Sequence, residues 1–115
     1  MRKTDKKLEN QIRVTLTELC DELLDLELGF AWLTHLVDYD RFPHSLKIVC
    51  VFDSTQAQQD FAQSPHCAQL QSALQARLKS LNISLKDISK HLFLDNEEAC
   101  ERTHQGRWAD RLRQH

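Results

Sequence analysis

A chain of 115 residues, 41% hydrophobic and 28% charged, has the make-up of one globular domain and is too short for two cores. Its formal net charge of −2 excludes a uniformly basic polyanion binder, and no apolar run approaches the roughly 20 residues that cross a bilayer. The opening MRKTDKKLEN has no apolar segment behind its basic residues, so it does not read as a signal peptide, and a cytoplasmic location without a membrane partner is expected.

Charge is unevenly spread. Lys and Arg are absent from residues 14–40, where Glu18, Asp21, Glu22, Asp25, Glu27, Asp38 and Asp40 sit, whereas both ends of the chain are basic. Cys20, Cys50, Cys67 and Cys100 are far apart, without a Cys-x-x-Cys pair, and read as idle or buried thiols.

In chain order, Leu8, Ile12, Thr15, Leu19, Leu23 and Leu26 recur at steps of three and four. They predict a helix capped by Thr4 that runs to about Leu28 and is stopped by Gly29. Glu18, Asp21 and Asp25 fall on the side away from that stripe. They read as a solvated face or, together with Glu22, as a docking surface for a basic partner. Residues 30–39, FAWLTHLVDY, alternate as a strand with His35 as a cross-strand or core histidine, and Pro43 breaks the chain before the next element.

Residues 45–61, SLKIVCVFDSTQAQQDF, organise the whole. Leu46, Ile48, Cys50 and Phe52 fall on one face of an extended run and Val49 and Val51 on the other, so a central strand covered on both faces is expected. Its short connection to the preceding strand makes the two a hairpin. Asp53 and Ser54 are placed to cap the following helix, with Gln56 in the capping-box position. Ser64-Pro65 starts another helix with Leu70, Leu74, Leu78 and Leu81 as its stripe. The connector 82–90 tucks Ile83, Leu85 and Ile88 under the sheet. A third strand is expected at residues 91–95, then a helical tail begun by a capping box of Asp95 and Glu98 and pinned to the body by Trp108 and Leu112.

The order helix, strand, strand, helix, helix, strand gives an α+β fold. It has an αββααβ core over residues 1–95, with a three-stranded mixed sheet and helices on one face, and a helical tail over residues 96–115 packed on that core. This order, with KIVCVFD in the middle strand and LFLDNEE ending the last, resembles the type II KH module, and ribosome-binding factor A in particular. The resemblance implies an RNA or ribosome partner. The segments KIVCVFD, LDNEEAC and GRWADRL are also similar to a family of short bacterial proteins, some of which bear the label of Fis-type transcriptional regulators. The junction 62–66 lacks the Gly-x-x-Gly loop with which KH modules hold a nucleic-acid backbone.

No catalytic set and no cofactor site emerges. Cys100 and His104 are at helical ligand spacing, but two ligands do not make a metal site without His66 and Cys67 nearby. Adjacent His66 and Cys67 do not face each other as base and nucleophile would. The expected function is that of a non-enzymatic accessory protein, binding RNA or the ribosome through one basic strip of Arg77, Lys79, Lys86, Lys90, Arg107, Arg111 and Arg113. The alternatives are a protein-interaction adaptor or homodimer that uses Glu18, Asp21, Glu22, Asp25 and Trp108, and a DNA-binding regulator.

Overall fold

The computed structural model describes residues 2–115. Helix α1 (Lys3–Asp25) leads into strand β1 (Phe30–Leu36), which pairs antiparallel with β2 (Lys47–Phe52). Helices α2 (Thr55–Gln63) and α3 (Pro65–Ser80) then cross over to β3 (Leu92–Asn96), which lies parallel to β2, giving the sheet order β1-β2-β3. Helices α4 (Glu97–His104) and α5 (Trp108–Leu112) form the tail. The fold is the α+β arrangement with a three-stranded mixed sheet that the element order predicts. Among the described residues no helix is long and apolar enough to cross a membrane.

Each face of the sheet has its own cover. Ile48, Cys50 and Phe52 of β2 join Ile12, Leu16, Leu19 and Leu23 of α1, Leu70, Leu74 and Leu78 of α3, and Ile83, Leu85 and Ile88 of the connector in one core. Val49 and Val51, fully buried as well, point the other way. Trp32 pairs with Val51 in register and carries Trp108 edge-on at 4.9 Å, so the tail lies on this second face.

Several boundaries shift by a residue or more, each for a local reason. Helix α1 has Arg2 as its N-cap, without a side-chain cap bond, so Thr4 lies inside it, and Arg2 Nε instead reaches Asp5 at 3.0 Å. The helix ends at Asp25, and Glu27 takes the left-handed conformation that Gly29 was expected to supply (φ 53°). Strand β1 ends at Leu36 because Asp38 turns the chain, accepting from Asp40 N–H at 3.0 Å and from Ser45 Oγ through its carbonyl at 2.6 Å. Ser54 rather than Asp53 caps α2, accepting from Ala57 N–H at 3.0 Å. Strand β3 extends to Asn96, and Asn96, not Asp95, caps α4 by accepting from Ala99 N–H at 2.7 Å. Glu98 closes no capping box; it accepts from Thr55 N–H at 3.0 Å and ties α4 to the start of α2.

Gly29 has a different task from stopping a helix. Its φ is 79°, its carbonyl accepts from Asp53 N–H at 2.8 Å, and a Cβ there would stand 2.7 Å from Ala57 Cβ. Gly29→Ala is therefore expected to destabilise by about 2 kcal/mol, from left-handed strain plus the collision with α2. A urea titration should show a lower midpoint with an unchanged slope.

Candidate functional site

Strand direction sorts the charges. Strands β2 and β3 both start at one end of the sheet, with Lys47 and Leu92, and finish at the other with Phe52 and Asn96. β1 runs back to the starting end, where Leu36 pairs with Lys47. The first half of α1 is fixed over that end by Glu9, which accepts from His35 Nε2 at 2.6 Å and from the Tyr39 hydroxyl. Burial opposes ionisation of Glu9, but the Tyr39 and His35 contacts hold its carboxyl below the ordinary range, while burial and the Glu9 carboxylate push the Tyr39 phenol up. Lys3, Lys6 and Lys7 of α1, Arg41 and His44 of the hairpin turn, Lys47, and Lys86 and Lys90 before β3 thus gather at one pole. The opposite pole holds Asp25 and Glu27, Asp53 and Asp60, and Glu97 and Glu98.

The acids at the basic pole are all engaged. Asp5 and Asp40 face Arg2, at 3.0 and 3.6 Å. Asp38 accepts from Asp40 N–H, Asp87 accepts from Ser89 N–H at 3.0 Å, and Glu9 holds His35. By contrast Lys3, Lys6, Lys7, Arg41, Lys86 and Lys90 are exposed and make no ion pair among the described residues. Between the hairpin turn and the tail lies a cleft of about 490 Å³, lined by Val37, Arg41, His44, Ser45, Lys47 and His115. Lys47 Nζ donates to the His115 main-chain oxygen at 2.6 Å.

The single strip expected from the sequence does not form, because α3 and α5 lie on opposite faces of the sheet. Arg77 is taken by α1: its guanidinium is 2.6 Å from Glu22 and 4.0 Å from Glu18, so a predicted basic residue neutralises two predicted acidic ones. Arg107 pairs with Asp110 at 3.1 Å, and Arg113 lies 3.7 Å from the same carboxylate. Lys79 stays exposed on α3, and of the seven only Lys86 and Lys90 join the pole. Of the expected docking residues, Asp21 and Asp25 stay exposed and free of ion pairs among the described residues, whereas Trp108 is half-buried against Trp32 and donates to Glu97 at 2.9 Å. Arg41, His44, Lys47 and the first lysines form a group that sequence position alone does not unite. Topology unites them, since a hairpin followed by a parallel crossover places the starts of α1, β2 and β3 at one end.

Arg111 serves the fold. Its Nε and Nη2 each donate to Asp95 at 2.8 Å, His115 Nε2 donates to the same carboxylate at 2.8 Å, and Asn96 N–H adds a fourth bond at 2.8 Å. Asp95 is 3% exposed. Burial alone would raise its carboxyl, but the bonds from Arg111, His115 and Asn96 and the Arg111 charge hold it below the ordinary value.

The cysteines show no comparable arrangement. Burial pushes the Cys50 thiol up to about 12 and raises that of Cys100, away from the thiolate that nucleophiles and metal ligands need. Among the described residues no group of three or more His, Cys, Asp or Glu is placed to hold a metal ion. Compared with known proteins, the chain matches no family model, no curated sequence and no solved structure.

Proposed function

We propose that this protein is a non-enzymatic RNA-binding accessory, acting on free RNA or on the ribosome through its basic pole. One observation carries the reading: every acid at that pole is engaged in capping or pairing, and six exposed cations around it have no partner among the described residues. Phosphates are the ligand such an array suits, because each contact releases condensed counterions. The acidic opposite pole orients the approach by repelling the same polyanion.

The αββααβ order, with an antiparallel first pair and a parallel second, supports the type II KH likeness. The contact differs from the KH grip, however, since Ser64 at the α2–α3 junction shares its cleft with Glu27 and Asp60 at the acidic pole. A duplex-DNA regulator finds less support. Helix α5, the candidate recognition helix, has five residues and commits Trp108 and Arg111 to the sheet.

Anisotropy of a labelled single-stranded RNA tests the proposal. Binding should weaken steeply with salt, and R41A/K86A/K90A should weaken it about 10- to 100-fold and flatten the log–log salt slope by about 2. Arg102→Ala, exposed on α4, is the control and should leave both unchanged. Wild-type affinity in the triple variant, or affinity indifferent to salt, would overturn the reading.

A further inference from the structure

The two edges of the sheet are treated differently. Along β3, α2 lies close, and its Gln58 Nε2 donates to the Leu94 carbonyl at 3.0 Å. Along β1, α1 lies as close, but the two leave a groove open beside the strand. Ile48 N–H goes to His91 O, toward β3, and Asp53 N–H goes to Gly29 O, so the main-chain groups of Lys47, Val49 and Val51 face β1. Their partners Leu36, Thr34 and Trp32 turn inward to receive them, and Leu33 and His35 therefore turn theirs outward. The Leu33 main chain is hydrogen-bonded to the Cys20 thiol of α1, a weak partner that an incoming strand could displace. The strand reads FAWLTHL, without the lysine or proline that guards a natural edge.

Beside this edge runs a groove of about 530 Å³, closed on its other side by Arg13, Thr17, Cys20 and Asp21 of α1. Arg13 and Asp21 stand four residues before and four after Thr17, carry opposite charges, are exposed, and make no ion pair among the described residues. Helix α1 as a whole follows the same rule, basic in its first half and acidic in its second. A charge pattern that inverts about its own midpoint is matched by a second copy of itself turned end for end.

We infer that two copies of this chain pair antiparallel along the outer edges of β1, the two-fold axis passing by Leu33 and Thr17, so that Arg13 of each chain faces Asp21 of the other. The edges supply main-chain hydrogen bonds that continue the three-stranded sheet into six strands. The paired α1 flanks set the register, because a parallel arrangement would bring like charges together. The groove adjoins the basic pole at Glu9 and His35, but none of the six exposed cations lines it, and its test is independent of RNA.

Sedimentation equilibrium of the wild-type chain up to about 1 mM should show a reversible monomer–dimer equilibrium. Arg13→Glu and Asp21→Arg should each raise the dimer Kd by roughly tenfold or more, and R13E/D21R together should restore it, since the swap rebuilds both pairs with the charges exchanged. Both side chains are exposed, so each variant should keep its far-ultraviolet spectrum and melting temperature. A wild-type chain that is monomeric at every concentration overturns the inference and leaves the edge to a foreign strand. A dimer indifferent to both single changes, or one that the double change fails to restore, overturns it as well.

Discussion

Asp95→Ala is expected to destabilise the fold by about 3 kcal/mol, out of a total on the order of 5–15 kcal/mol for a domain of this kind. Asp95 is 3% exposed, and its carboxylate accepts four hydrogen bonds, from Arg111, His115 and Asn96. Removing it leaves a guanidinium facing a hole. The Arg111 side chain is 20% exposed and keeps a 2.7 Å bond to Thr103 Oγ1, which relieves part of the penalty and sets the estimate at the low end for a broken buried pair. The loss should show as looser seating of the tail, with altered fluorescence of Trp32 and Trp108, which meet edge-on on the same face.

The pH dependence follows from the same group. The folded carboxyl of Asp95 is depressed below the ordinary value of about 3.9, so the unfolded chain takes up its proton first as pH falls. Its stabilisation is fully present above about pH 5 and drains away as pH drops toward and through the folded value. Wild-type stability should thus fall between pH 5 and the acid limit more steeply than that of Asp95→Ala, which has lost this group's share. An equal loss of stability from pH 7 to pH 3 in the two proteins, read from urea titrations, would contradict the assignment.

Asp95 also shows where a sequence stops being legible. Beside a helix start, an aspartate and an asparagine are both good caps, and nothing local says that Asn96 takes the cap while Asp95 turns into the second face to meet residues 16 and 20 positions later. Asp53 and Ser54 pose the same choice at α2, and there too the second residue takes the cap. Alternation in KIVCVF and the leucine stripe of α3 could be read because burial imposes its period directly on the chain. Pairing across distance could not: Arg77 finds Glu22 from 55 positions away, and the sequence treats the two as separate surfaces. The basic pole lies between these cases, since its members are scattered along the chain and strand direction alone unites them.

Phe52 should be the most costly single core position on the helical face, with Phe52→Ala destabilising by about 3–5 kcal/mol. It is the largest of the fully buried side chains, at 0% exposure. Its ring meets Phe30 edge-on at 5.8 Å and tilts against Phe61 at 4.9 Å, so it joins the start of β1 to the underside of α2. Truncation leaves a cavity bounded by a strand end on one side and a short helix on the other. Gly29 already brings the chain as near to Ala57 as a glycine permits, so α2 has little room to close the gap. Phe52→Leu, which keeps most of the volume, should lose only about 1–2 kcal/mol. Because Phe52 points to the helices while Trp32 and Trp108 lie on the opposite face, native tryptophan fluorescence should be unchanged in Phe52→Ala and shifted in Asp95→Ala. A fluorescence shift of equal size in both variants would show that the two faces of the sheet are not covered independently.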